Sequence, residues 1–429
     1  MFWNRAAETL PREQLEVLQL ERLRQTLGRL PDRVAPMRAR LVQAGIRSPE
    51  DVASLADVAR LPFTRKTDLR EHYPFGLLAV PREQVVRIHA SSGTHGKPTV
   101  VGYTRGDLDV WSEVMARTLA MAGVEAGMVV HNAYGYGLFT GGLGFHMGAE
   151  RMGCTVIPMS GGQSKRQVLM LEDLGAEVLC CTPSYALSLA QTLAEQGVAL
   201  DRIKLKLGMF GAEPWTEEMR REIDRQLGIT ALNVYGLSEI VGPGVSSECV
   251  EARHGAHVHE DHFLVEVVDP HTGEALGPGK EGELVLTTLT KEALPMLRYR
   301  TGDISSLDPA PCACGRTLAR MARVRGRLDD MLIVRGVNLY PSEVERVLLG
   351  LGGVGPHYQL VLERPGTLDE LSVVCEPTPD VADLTSLEAR IQHALRDATG
   401  LSMQVQVLPP GGLARSEGKA VRVIDKRNL

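Results

Sequence analysis

Residues 207–239, LGMFGAEPWTEEMRREIDRQLGITALNVYGLSE, decide the fold class. Gly208–Phe210 and Leu232–Tyr235 are short apolar runs that read as strands, and Glu217–Gln226 between them reads as a charged surface helix. Each strand is followed by a polar segment, Gly211-Ala212-Glu213 after the first and Gly236-Leu237-Ser238-Glu239 after the second. Open α/β sheets bind their ligands at such strand ends. Outward from this unit the rhythm repeats. Val85–Ile88, Val129–His131, Thr155–Pro158 and Val178–Thr182 are further strand candidates, and Gln167–Leu174 and Ser184–Gln196 read as amphipathic helices. The expectation is a layered α/β domain with helices on both faces of its sheet.

After Glu260 the texture changes. Phe263–Val268, the turn at Asp269–Gly273 and Glu283–Thr288 suggest a smaller β-rich subdomain. From Met331 onward, Met331–Val334, Pro341–Leu349, Leu371–Cys375 and Leu384–Thr399 mix strand and helix and read as a separate α+β lobe. A chain of 429 residues exceeds one ordinary core, which agrees with a large domain and a small one.

Charge and cysteine content restrict the function. With 47 basic and 53 acidic residues and no long block of one sign, the chain presents no polyanion-binding surface, so nucleic acid is not an expected partner. Leucines 15, 18, 20, 23 and 27 recur at helical spacing among charges, unlike a signal peptide, and no apolar run reaches transmembrane length. A cytoplasmic protein with no membrane partner is expected. Seven irregularly spaced cysteines suit a reducing compartment, as free thiols or as metal ligands.

The strongest local signal is Ser91-Ser92-Gly93-Thr94-His95-Gly96-Lys97-Pro98. Glycines let backbone N–H groups turn inward, hydroxyls add donors and Lys97 adds charge, which together make an anion nest. It differs from the Walker loop, where Ser or Thr follows the lysine and a helix begins; here Pro98 follows and Thr99–Tyr103 reads as a strand. An ordinary surface turn has a similar composition. Tyr235-Gly236-Leu237-Ser238-Glu239 and Gly211-Ala212-Glu213 form a second signal. Arg298-Tyr299-Arg300-Thr301-Gly302-Asp303 with Gly326-Arg327-Leu328-Asp329-Asp330 is a third, since aspartate can clasp ribose hydroxyls and arginine can fork onto phosphate.

In this order, over Pro62 to Lys419, these segments resemble the adenylate-forming enzymes: acyl-coenzyme A synthetases, adenylation domains and luciferases. Ala133-Tyr134-Gly135-Tyr136-Gly137, Thr288-Leu289-Thr290-Lys291-Glu292 and Asp329–Asn338 bring the resemblance closer to the phenylacetate–coenzyme A ligase family. The resemblance implies a large N-terminal domain, residues 1–328, and a small mobile C-terminal domain, residues 329–429. It also implies ATP-dependent ligation of an aromatic carboxylic acid to coenzyme A through an acyl-adenylate, with release of AMP and pyrophosphate. Family members are often homodimers.

Residue roles follow from the same resemblance. Ser91, Ser92, Gly93, Thr94, Gly96 and Lys97 would hold the β- and γ-phosphates, and Glu239 would bind Mg²⁺. Gly211, Ala212, Glu213, Tyr235, Gly236 and Ser238 would line the nucleotide, Asp303 would take the ribose, and Arg327 the ribose or α-phosphate. Lys419 would bridge carboxylate and α-phosphate, Asp329 would be the hinge, and Gly336 would line a coenzyme A channel. Tyr134, Tyr136, Phe139, Gly141, Gly142, Ala212 and Pro243 would surround the acid, with phenylacetate, benzoate and hydroxylated relatives all open. His95 stands where the family usually has a second threonine.

Cys249, His257, Cys312 and Cys314 supply three thiols and an imidazole suited to a structural zinc, with His254, His259 and His262 as competing ligands. Two other activities share the nucleotide motifs. One is acyl transfer to a carrier-protein thiol or an amine, and the other is a silent nucleotide sensor. Acid-dependent pyrophosphate release with and without coenzyme A separates them.

Overall fold

The computed structural model describes residues 1–91, 98–365, 368–415 and 419–427, without the side chains of Pro31 and Asp32. Its centre is a nine-stranded sheet. Thr155–Ile157, Val129–Asn132, Val178–Cys181, Leu207–Gly211 and Thr230–Leu237 run parallel in that spatial order. Gly242–Ser247, Ala256–Val258, Arg320–Met321 and Leu307–Asp308 then continue it antiparallel.

The helix Glu217–Leu227 begins where the Thr216 hydroxyl accepts the Met219 N–H, and it carries Glu217 and Glu218 in its first turn, where the helix dipole favours them. Two long helices are among those absent from the periodicity reading. Arg105–Met121 is buried at every position from Val114 to Met121, so it has no polar face to give a 3.6-residue pattern. It starts at a capping box between Thr104 and Asp107. Thr140–Arg151 contains Gly141, Gly142, Gly144 and Gly148, poor helix formers. Packing explains them: a Cβ on Gly148 would sit 2.5 Å from the Met115 Cβ, so these two helices touch backbone to side chain.

The strand expected at Val85–Ile88 lies at Arg87–Ala90 and pairs with Val100–Tyr103 in a separate hairpin, outside the large sheet. The β-rich region forms a four-stranded antiparallel sheet of Phe263–Val268, Gly282–Thr288, Tyr299–Ser305 and Gly326–Arg327. It is less separate than its sequence suggests. Leu307–Asp308 and Arg320–Met321 leave it for the large sheet, and Phe263, Leu284 and Leu286 share one apolar cluster with Trp111, Val130 and Leu232.

The C-terminal lobe has its own cluster, running from Leu332 to Val407. Its four strands, Gln404–Val407, Glu370–Pro377, Val354–Glu363 and Val423–Asp425, accompany the helices Pro341–Gly350 and Leu384–Thr399. Among the described residues no helix is long and apolar enough to cross a membrane.

One buried ionic cluster ties the helix Arg105–Met121 to the segment entering the β-rich sheet. Arg117 forks onto Asp261 at 2.9 and 3.1 Å and reaches Glu113 at 2.7 Å. His262 stands 3.2 Å from Asp261 and pairs with the Thr290 hydroxyl at 2.9 Å; His259 faces Thr118 at 3.3 Å. Burial pulls the His262 imidazole down to about 4, Asp261 and Glu113 opposing it while Arg117 and Arg22 assist. Burial and Arg117 also hold His259 well below its ordinary value. Both imidazoles are therefore neutral in the fold at neutral pH, whereas the unfolded chain protonates them near 6.5.

Below that value the unfolded state binds more protons, so stability falls as pH drops from about 6.5 to about 4. Asp261, lowered to about 2, loses its own contribution only below that window. The melting temperature measured from pH 7 to pH 4 is expected to fall steadily, and His262→Gln should flatten the slope; a level profile in the unsubstituted protein would contradict it.

Candidate active site between the two lobes

The site begins where the parallel strand Thr230–Leu237 turns back into Gly242–Ser247. A Cβ on Gly236 would lie 1.9 Å from the Gly242 carbonyl oxygen, so only glycine fits this close crossing. The turn presents Ser238, whose hydroxyl meets Thr140 at 3.2 Å, and Glu239, which is 6% exposed. Tyr299 neighbours the Glu239 carboxylate, and among the described residues no cationic side chain forms a salt bridge with it. A buried carboxylate without a salt-bridge partner is a suitable oxygen ligand for Mg²⁺.

From the β-rich sheet comes Asp303, also buried. It accepts the Tyr235 hydroxyl at 2.6 Å and the Arg327 guanidinium at 3.0 Å. Arg327 also holds Asp329 at 2.9 Å, so the two acids share one cation. Burial pushes the Asp303 carboxyl up, while Arg327, Tyr235 and the Lys419 ammonium pull it back. Lys419 is exposed, yet its charge reaches both Asp303 and Asp330. Lys419 thus approaches Asp303 and Asp330 across the lobes, and Tyr299 senses the charges of both Glu239 and Asp303.

Ser92, Gly93, Thr94, His95, Gly96 and Lys97 lie outside the described residues. At the loop's base the Ser91 N–H donates to the Thr99 carbonyl at 3.0 Å, and the Ser91 hydroxyl oxygen is buried without a partner among the described residues. Gly211 ends its strand and Ala212 adopts φ 70°. Glu213 has its oxygens engaged by the protein itself, accepting the Ser184 N–H at 2.7 Å and the Ala420 N–H at 2.9 Å.

That second bond crosses between the lobes, and it has companions. Glu345 of the small lobe accepts the Thr216 N–H at 3.2 Å and the Tyr358 hydroxyl at 3.1 Å, with Arg422 3.6 Å away. Burial raises the Glu345 carboxyl, and Arg422 opposes this. Arg415 pairs with Glu376 and reaches Gln191 of the large lobe at 3.1 Å. These contacts hold Lys419 at the cleft. None of Glu345, Arg415 or Arg422 stands out in the sequence, because their partners lie far away in the chain.

The residues expected around the acid divide. Tyr134 is 7% exposed and stacks on Phe145 with ring centroids 5.1 Å apart, a core contact. Tyr136 is half-buried; its hydroxyl accepts from Asn132 at 2.9 Å and meets His146 at 3.1 Å. Phe139 is exposed where the helix Thr140–Arg151 begins. Gly142 lies against Tyr136, and the Pro243 carbonyl accepts the Trp111 indole at 2.9 Å. Gly336, at φ 80°, sits at the tip of the hairpin Leu332–Leu339 with open space beside it.

Cys249, His257, Cys312 and Cys314 have their ligand atoms within 4.8 Å of one another. The Cys249 and Cys312 sulfurs are 3.7 Å apart, and Cys314 Sγ is 3.4 Å from His257 Nε2. Ligands on one tetrahedral zinc stand about 3.8 Å apart for two thiolates and about 3.6 Å apart for thiolate and imidazole. Those two separations match a tetrahedral zinc, and the Cys249–Cys312 sulfurs are far from disulfide geometry. His257 Nδ1 turns to the Leu318 carbonyl at 3.3 Å, directing Nε2 inward. His259 and His262 belong to the ionic cluster described above.

Comparison with other proteins agrees with this geometry. The family described as AMP-binding enzyme matches residues 35–289, and the AMP-binding enzyme C-terminal domain matches residues 336–427. A phenylacetate–coenzyme A ligase of Thermus thermophilus is 54% identical over 100% of this chain and 100% of its own. One of Escherichia coli K12 is 49% identical, covering 98% and 97%. A 2-hydroxyisobutyryl-CoA ligase in the postadenylation state, in complex with R3-HIB-AMP, superposes with a TM-score of 0.93 at 29% identity, covering 99% of this chain and 92% of that one. The same ligase in the thioesterification state gives 0.74 over the same shares, so the lobes here are placed as in the earlier state. By sequence, fold and the arrangement of its cleft, the chain belongs to the phenylacetate–coenzyme A ligase family of AMP-binding enzymes.

Proposed function

We propose that this chain joins an aromatic carboxylic acid, phenylacetate or a close relative, to coenzyme A in two half-reactions that share one cleft. The observation that supports the reading is the approach of Lys419, from the far end of the chain, to Asp303 and Asp330, with Glu239 beside the same Tyr299 that neighbours Asp303. A carboxylate is a poor electrophile. In the first step one of its oxygens attacks the α-phosphorus of ATP, the bond to pyrophosphate breaks, and an acyl-adenylate forms. In the second the coenzyme A thiolate attacks the acyl carbon and AMP leaves with the carboxylate oxygen.

Both partners in the first step are anions, so the chain must neutralise their repulsion. Lys419 supplies an ammonium positioned between acid and α-phosphate, preorganised where charge builds in the transition state. Glu239 would hold the magnesium ion, which supplies charge neutralisation on the phosphates. Asp303 accepts ribose hydroxyls, and Arg327 keeps Asp303 ionised and oriented. The loop Ser91–Lys97 would cradle the β- and γ-phosphates. Division into residues 1–328 and 329–429, with Asp329 as the hinge, lets the small lobe withdraw Lys419 and bring Gly336 to the cleft for thioester formation.

Cys249, His257, Cys312 and Cys314 would hold one structural zinc, closed by four protein ligands. All seven cysteines are free, which suits the reducing cytoplasm. The partners in this reading are small molecules and, following the family, a second copy of the chain.

Lys419→Ala is expected to lower acid-dependent ATP–pyrophosphate exchange by at least about 10²-fold while thioester formation from supplied phenylacetyl-adenylate stays within a few-fold, since the lysine serves one pose only. Equal loss in both assays would refute that division of labour. Separately, elemental analysis of protein purified without chelators should find about one zinc per chain; protein that is metal-free yet has the same melting temperature would rule the site out.

A further inference from the structure

A fully buried lysine that no step above employs lies behind the cleft. Lys291 donates from Nζ to the Glu239 carbonyl at 3.1 Å and to the Ile240 carbonyl at 2.6 Å, and its ammonium sits 4.9 Å from the centre of the Tyr103 ring. Those contacts account for all three of its donors. The Tyr103 hydroxyl reaches the two flanking carbonyls, Ser238 at 3.3 Å and Val241 at 3.0 Å. Two side chains in contact with each other therefore gather four consecutive carbonyls.

The turn needs them for a physical reason. Ile240 and Val241 both donate to the Leu237 carbonyl, as in the first turn of a helix. The chain then leaves at Gly242, φ 104°, and runs back as a strand. A helical turn cut short leaves its carbonyls without backbone donors and a partial negative charge at its end. Lys291 and Tyr103 meet both needs from the core side, while the Glu239 carboxylate neighbours Tyr299.

Lys291 is itself held firmly. The Asp107 carboxylate accepts the N–H groups of the next two residues, Glu292 at 2.6 Å and Ala293 at 3.0 Å, and the Thr104 hydroxyl donates to Glu292 at 2.6 Å. Trp111 stacks on Tyr103 at 5.1 Å. The cavity left beside Lys291 is about 10 Å³, at the lower limit for a single water, so the side chain has nowhere else to go. Burial draws the ammonium down to about 8, with Asp107 and Glu239 holding it up, so it keeps its charge at neutral pH.

We infer that Lys291, assisted by Tyr103, is a positioning residue that fixes the backbone of Ser238–Val241 and thereby the direction in which Glu239 offers its carboxylate to magnesium-bound ATP. The inference rests on the reading of Glu239 as the magnesium ligand. Lys291 touches no substrate in this arrangement. Its effect is confined to the half-reaction that uses ATP.

The test compares Lys291→Met, Tyr103→Phe and Glu239→Gln with the unsubstituted protein. Calorimetry gives the affinity for ATP with and without Mg²⁺, and separate assays give adenylation and thioester formation from supplied phenylacetyl-adenylate. Lys291→Met should lose most of the magnesium-dependent gain in ATP affinity and about 10²-fold in kcat/KM for adenylation, as expected for a misdirected group, with thioester formation within about twofold. Should that variant fail to fold, Tyr103→Phe carries the same test with a fall of about tenfold, because it frees only two of the four carbonyls. An unchanged magnesium gain in the folded variants, or equal losses in both half-reactions with a lowered melting temperature, overturns the inference. If Glu239→Gln keeps its magnesium gain, the reading of Glu239 fails; if it alone loses the gain, only the role of Lys291 fails.

Discussion

The site depends on one backbone constraint, the aborted helical turn between the strands Thr230–Leu237 and Gly242–Ser247. A strand that ended in a longer helix would satisfy its own carbonyls but could not double back into the antiparallel half of the sheet. A looser loop could double back but would let Glu239 wander. The compromise is a turn whose acceptors are met by Tyr103 and Lys291. The aromatic group behind it, with His89 packed edge-on against Tyr103 and Trp111, joins the turn to the hairpin that carries Ser91. His89 also reaches the Leu138 carbonyl at 3.1 Å, so the aromatic segment around Tyr136 is tied to the same core.

The second constraint is the docking of the small lobe against the large one. Glu213 and Glu345 do this with carboxylates that accept backbone N–H groups across the interface, from Ala420 and Thr216. Such bonds are directional and specific, and because water could replace them their net contribution is modest. A large apolar interface of equal area would hold the lobe in one pose. Arg327 adds a link between Asp303 and Asp329, so the two carboxylates share one guanidinium.

Far from the cleft, the Cys/His cluster and its surroundings fasten the amino terminus. Arg316, two residues beyond Cys314, is fully buried against Glu8 at 2.7 Å and lies over the Phe2 ring at 4.5 Å. Glu8 in turn accepts the N–H groups of Trp3 and Asn4. The N-terminal backbone meets part of what a buried pair of this kind requires, Glu8 from Trp3 and Asn4 and Arg316 Nη2 at the Met1 carbonyl, while Arg316 Nη1 is buried without a partner among the described residues.

The amino-acid sequence by itself determined the elements of the layered α/β domain, because strand and helix periods are local: Glu217–Leu227, Phe263–Val268 and Leu384–Thr399 are legible within a residue or two. It also determined the ordered motifs that mark an adenylate-forming ligase, since Glu239, Asp303 and Lys419 each stand in a recognisable local setting. Local pattern could not reveal Arg105–Met121, whose second half from Val114 is buried at every position, or Thr140–Arg151, whose glycines serve its packing against Met115. Nor could it give a task to Lys291, or to Glu345, whose partners lie 51 and 129 residues away. Only the tertiary structure decided those, because burial, carbonyl direction and lobe docking are properties of atoms brought together from distant parts of the chain, and no local period encodes them.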